Sequence, residues 1–98
     1  VAISSSLGSI ERASGGHYAY RMSKAALNMA MANLAKDVAT QGISVLVFCP
    51  GWVKTEMGGA MATLSVEESV KGLRSRIEAS NSPGTATFQS FDGTPVPW

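Results

Sequence analysis

The sequence predicts an α/β fold built on an open parallel sheet, and three observations carry that prediction. A short apolar run at residues 1–3 gives way to serines, a long stretch of helical periodicity follows, and a second apolar run occupies residues 43–49. Strand, helix and strand in that order form a βαβ unit, whose crossover is expected to be right-handed.

Residues 1–3 read as a buried strand that emerges at the edge of a sheet where Ser4, Ser5 and Ser6 begin, and residues 7–16 have no period and read as loop. From residue 20 to about 40 the pattern is helical: Leu27, Ala30, Met31, Leu34 and Val38 recur at three- and four-residue spacing, while Asn28, Lys36 and Gln41 fall on other faces. The alanines keep that helix slim, so a sheet or a partner helix can approach it closely. Gly42 supplies the stop. Residues 43–49, ISVLVFC, form the second strand, closed sharply by Pro50 and Gly51. Residues 52–64 read as a loop or short mobile helix leaving the carboxyl end of a strand, where open α/β sheets bind their ligands. Ser65 is the expected N-cap, with Glu67 and Glu68 in the first turn of a helix running through Val70, Leu73 and Ile77 to about Ala79. A turn at 81–85, a last strand at 86–91 and a turn at Asp92-Gly93 complete the order β-α-β-loop-α-β. That is half of an open sheet, and its first strand requires a further neighbour.

Length and charge narrow the functions. A chain of 98 residues holds one compact unit, and its abrupt start on a strand reads as the later part of something larger. Eight Lys and Arg against seven Asp and Glu leave a net charge of +1, too weak a field to imply nucleic acid or an anionic membrane surface as partner. The single cysteine, Cys49, excludes an internal disulfide and reads as a small apolar core residue. No apolar run reaches the ~18 to 20 residues of a membrane span, and the expected location is the cytoplasm.

The run YRMSK places Tyr20 and Lys24 on one face at the start of the first helix. A phenol is a poor proton donor or acceptor at neutral pH, and a nearby ammonium improves it by favouring the phenolate. Ser5, at the end of the first strand, can offer a hydroxyl across the same site to an oxygen that becomes negative during reaction. Neither hydroxyl supplies electrons, so redox chemistry there needs a cofactor. Spacing alone favours reading Tyr20 and Lys24 as an exposed edge pair, and His17, a loop histidine beside two glycines, reads as surface.

Taken together, SSSLGS, YRMSKAALNM and CPGWVKTEM resemble the later half of a short-chain dehydrogenase/reductase, whose signature is a catalytic Ser after the fifth strand, Tyr-x-x-x-Lys opening the next helix, and Pro-Gly after the sixth strand. VEESVKGLRSRI and FQSFDGTPVPW are similar to its carbonyl-reductase-like subgroup, which includes the C-factor and Sniffer proteins. The resemblance implies a three-layer, Rossmann-like doubly wound parallel sheet of which only the later strands and helices are present. Residues 1–98 would form the C-terminal half of a single NAD(P)-binding domain, with the catalytic strand and helix in 1–42 and the sixth strand, substrate loop, last helix and last strand in 43–98. It implies Ser5, with Ser6 as competitor, as the catalytic serine, Tyr20 as proton donor in carbonyl reduction, and Lys24 as ligand of the nicotinamide ribose. Pro50, Gly51, Val53 and Thr55 would complete the cofactor contacts, and Trp52, Met57 and Met61 a mobile apolar substrate wall. The implied cofactor is NADP, with NAD as the alternative, and the implied assembly is a homo-oligomer packed through the long helix.

The glycine-rich turn that accepts the dinucleotide pyrophosphate, and the residue that reads the adenosine ribose, have no match in this sequence. Three explanations follow: one piece of a longer enzyme completed by an N-terminal half, an inactive fragment, or a noncatalytic interaction protein that docks through its alanine-rich helix.

Overall fold

The computed structural model describes residues 1–98. Its elements are β1 (Ala2–Ile3), α1 (Tyr18–Asp37), β2 (Val45–Cys49), α2 (Val66–Glu78) and β3 (Ala86–Ser90), with short 3-10 turns at Ser6–Gly8 and Ala39–Gln41. The three strands form one parallel sheet in the order β1-β2-β3. In register, Ala2 lies opposite Val47 and Val47 opposite Phe88. The central strand is buried on both faces from Val45 to Phe48, which is why its sequence is continuously apolar rather than alternating. Val47 and Phe48 are wholly inaccessible, each worth about 1.5–3 kcal/mol relative to exposure.

The two sheet edges differ. Beyond β3 the chain turns back: Ser90 N–H donates to the Thr94 carbonyl at 2.8 Å, Val96 N–H to the Phe88 carbonyl at 2.9 Å, and the Trp98 ring lies 5.2 Å from that of Phe88. At the other edge β1 pairs with β2 alone, and Val1 and Ile3 are exposed. This is the edge at which the sequence reading expects a further strand.

Helix α1 begins two residues earlier than its periodicity indicates and ends at Asp37, after which the 3-10 turn and Gly42, at φ 70°, redirect the chain into β2. Its buried line also differs from the expected one. Ala30 and Leu34 are exposed, whereas Asn28, assigned by spacing to another face, is buried with Ala35. The reason is polar: the Asn28 amide accepts from the Ser4 hydroxyl at 2.6 Å and donates to the Gly8 carbonyl at 3.4 Å, so a hydrophilic side chain occupies the buried stripe.

Helix α2 opens with a full capping box. Glu68 N–H donates to the Ser65 hydroxyl at 3.1 Å and Ser65 N–H to the Glu68 carboxylate at 2.9 Å. The helix is tied to the end of β2 by Ser69, whose buried hydroxyl donates to the Pro50 carbonyl at 2.7 Å. Neither helix is long and apolar enough to cross a membrane.

Candidate active site

At the carboxyl ends of the strands, β1, α1 and the β2–α2 loop enclose an open cleft of about 780 Å³. Ser5, Ser6, Tyr20, Pro50, Gly51, Trp52, Val53, Thr55 and Met57 line it, so most of the residues singled out in the sequence meet in one space. Two do not line it. Met61 is 83% exposed, and Lys24 lies behind Tyr20.

Ser5 N-caps the 3-10 turn from an extended backbone, and its Oγ accepts from the Leu7 N–H at 3.1 Å. Because the hydroxyl is an acceptor in that bond, its hydrogen remains available for a group in the cleft. Ser4 is spent differently: it is buried, and its hydroxyl donates to Asn28. Ser6 also borders the cleft but makes no side-chain hydrogen bond.

The turn carrying Ser5 is pressed against α1. A Cβ on Gly8 would sit 2.8 Å from the Lys24 Cβ, so only glycine permits this approach. Arg21 adds a second tie, donating to the Leu7 carbonyl at 3.3 Å and to the Ser14 hydroxyl at 3.0 Å. These contacts fix the serine turn to the first two turns of the helix that bears Tyr20. Tyr20 is half-buried. Lys24 Nζ lies 5.8 Å from the centroid of its ring and donates to the Ile3 carbonyl at 3.2 Å, bridging the helix to the last residue of β1.

The opposite wall is the loop after β2. Gly51 takes φ 82°, a left-handed conformation suited to glycine, and the chain then folds over itself. Trp52 Nε1 donates to the Gly58 carbonyl at 2.8 Å, the Thr55 hydroxyl accepts from Gly58 N–H at 3.1 Å, and Lys54 N–H bonds the Leu64 carbonyl at 2.8 Å. The backbone N–H groups of Gly51, Trp52 and Val53 have no acceptor within the protein. Consecutive free donors beside a cleft are suited to a ligand with amide or phosphate oxygens, and in that respect the wall fits a nicotinamide dinucleotide.

Local patterning did not reveal several members of this site. Cys49, read as core, is half-buried and borders the cleft as well as packing beside Val47 and Phe88. Ser69, Val70 and Leu73 contribute from α2, and His17 lines the cleft one turn before Tyr20. For Cys49, His17 and Ser69 the signal is position, at or beside the end of an element facing the carboxyl edge of the sheet, whereas Val70 and Leu73 reach the cleft from farther along α2.

A parallel sheet with a hydroxyl-bearing cleft at its carboxyl edge defines an open α/β protein with its cleft where such sheets hold ligands, and sequence comparison specifies the family. The profile described as short chain dehydrogenase matches residues 1–64, and the chain belongs to that family. It is 43% identical over 97 residues to the C-signal protein of Myxococcus xanthus, covering 98% of this chain and 58% of that protein. Among solved structures, carbonyl reductase Sniffer of D. melanogaster superposes with a TM-score of 0.90 at 43% identity, over 100% of this chain and 41% of the other. An NADPH-bound carbonyl reductase from chicken fatty liver superposes at 0.87 with 33% identity, over 100% and 43% respectively. The chain thus spans about half, or less, of the length of these relatives.

Proposed function

We propose that this chain carries the reactive half of an enzyme that uses NADP(H) to reduce a ketone or aldehyde to an alcohol, or to run the reverse reaction, and that an N-terminal half of the same protein completes its dinucleotide site. The observation that carries the proposal is the convergence of Ser5, Tyr20 and the Pro50–Thr55 segment on one cleft, with Lys24 behind the phenol. The carbonyl reductases among the relatives, one with NADPH bound, support both the reaction class and the choice of NADP over NAD. The unpaired edge of β1 supports a missing neighbour from the N-terminal half.

A bound reduced nicotinamide would supply the hydride. The residues of this chain do the rest. Tyr20 donates its phenolic proton to the carbonyl oxygen as negative charge develops there. Ser5 donates a hydrogen bond to the same oxygen, orienting the substrate and stabilising that charge. Lys24 holds the ribose and sets the electrostatic environment of the phenol. The backbone of Gly51 and Val53, the bend at Pro50 and the Thr55 hydroxyl hold the remainder of the nucleotide's reactive end. Trp52 and Met57 wall off the substrate's apolar part; Trp52 is tethered through its indole N–H, whereas Met57 projects freely. Residues 1–98 act in this reading as one continuous half-domain. The exposed Met22, Met29 and Leu34 on α1 support a homo-oligomer packed across that helix.

The test is consumption of NADPH by the full-length protein in the presence of aldehydes and ketones, with the alcohol quantified. Alcohol formed in equal amount to NADPH consumed is the expected result. Tight nucleotide binding with no turnover of any carbonyl compound would instead identify a noncatalytic member of the family.

A further inference from the structure

His17 is the residue that neither the signature motifs nor the proposed chemistry uses. It immediately precedes α1 and borders the cleft from the side of β1 and α1, together with Leu7, across from the loop that follows β2. It is also the only residue other than glycine with positive φ, at 49°. A left-handed backbone is uncommon for a residue with a side chain, although His is among the types that adopt it more often. Although His17 occupies the N-cap position, its imidazole makes no capping bond and has no hydrogen-bond partner elsewhere in the protein. The side chain is therefore not used by the fold.

The remainder of the lining makes this free imidazole distinctive. No Lys, Arg, Asp or Glu side chain borders the cleft. Most of its surface comes from apolar groups such as Leu7, Trp52, Val66, Val70 and Leu73, and its other polar side chains are mainly hydroxyls. Among the residues lining the cleft, His17 alone carries an imidazole, whose ring N–H can donate to an anion. With no carboxylate on the wall to accept from it, such a donor favours an anion on the ligand.

We propose that His17 is a specificity-determining residue, selecting carbonyl substrates that carry a carboxylate or comparable anion on an otherwise apolar body. This inference rests on the reading of the cleft as a carbonyl-reducing site and assigns its substrate class. The apolar wall accommodates the hydrocarbon part, Ser5 and Tyr20 engage the carbonyl oxygen, and His17 engages the anionic end.

Para-carboxybenzaldehyde and its methyl ester isolate the charge, because both present the same aldehyde on the same ring. In the full-length protein with NADPH, the acid is expected to exceed the ester in kcat/KM by about tenfold or more, the range of a charge-assisted hydrogen bond. In His17→Asn that ratio is expected to collapse toward one, chiefly through KM for the acid. Asparagine tolerates the left-handed backbone, so the start of α1 is preserved. The same acid-to-ester ratio in parent and variant would overturn the proposal. Calorimetric titration of the NADP-bound protein with benzoate provides a reading independent of turnover: binding weakened by His17→Asn and by His17→Gln supports the proposal, and equal affinity in all three contradicts it. Tyr20→Phe separates the two levels of inference. If it leaves turnover of both aldehydes intact, the proton-donor assignment fails, while the benzoate titration still decides the role of His17.

Discussion

Lys24 Nζ stands 5.8 Å from the centre of the Tyr20 ring and is held at 3.2 Å from the carbonyl of Ile3, so the ammonium lies near the phenol without capturing its oxygen. The phenolic hydroxyl stays free for a substrate. The same bond joins the helix that carries Tyr20 to the strand that leads into Ser5. Lys24 thus joins the Gly8 contact, Arg21 and Asn28 in fixing the position of the site.

Replacing Lys24 with Met keeps much of the apolar stem and removes the charge. In the full-length protein the dissociation constant for NADPH is expected to rise by about tenfold or more, with a fall in kcat beyond that explained by nucleotide occupancy. Nucleotide titration alongside steady-state kinetics measures both. Unchanged nucleotide affinity would remove Lys24 from the cofactor contacts.

Asn28 joins Ser4 to the Gly8 carbonyl inside the protein and holds the serine turn from below. Asn28→Leu leaves both partners unsatisfied and is expected to destabilise the protein by roughly 1–3 kcal/mol in urea unfolding. Pairing it with Ser4→Ala should recover part of that loss, because one orphaned group is removed.

Gly8→Ala tests the close approach of the turn to α1. The new methyl would lie 2.8 Å from the Lys24 Cβ and 2.9 Å from its carbonyl carbon, forcing the two segments apart. The expected cost is about 1–3 kcal/mol. Turnover should fall more than nucleotide affinity, because Ser5 moves with the turn; equal effects on both would argue against Ser5 in the chemistry.

The capping box of α2 gives an acid-dependent signature. The Ser65 backbone N–H, followed by the Ser65 hydroxyl, holds the Glu68 carboxyl below its ordinary value of 4.5. A carboxyl lowered in the folded state contributes stability that is complete above the unfolded value and is lost as pH falls through the folded one. Protection of the amides in the first turn of α2, measured relative to their intrinsic exchange rates, should therefore fall on acidification below that ordinary value, and Glu68→Gln should flatten the response. Ser65→Ala should cost about 0.5–2 kcal/mol at neutral pH.

The elements were largely legible because their signals are local. Continuous apolar character marked β2, helical spacing marked α1, and Ser65 with Glu68 marked the start of α2 within a residue. What was not legible depends on residues distant in the chain. Asn28 reads as a solvent-facing polar residue until Ser4 and the Gly8 carbonyl are brought beside it. Lys24 reads as solvated until the end of β1 is packed under α1. Nothing in residues 94–98 indicates that they return along β3, since that pairing is set by the turn and by Trp98 packing on Phe88. For His17 the neighbouring glycines suggested surface loop, and the residue is exposed; that it also borders the cleft follows from where the chain enters α1 and is not local to the sequence.

The central claim is that the Tyr20 hydroxyl delivers the proton during carbonyl reduction. Its most direct test is stopped-flow measurement of NADPH oxidation in a single turnover by the full-length Tyr20→Phe protein. The predicted result is a rate lower by about a hundredfold or more with nucleotide affinity largely retained, the range for loss of a positioned acid. Hydride transfer at the parent rate would contradict the assignment.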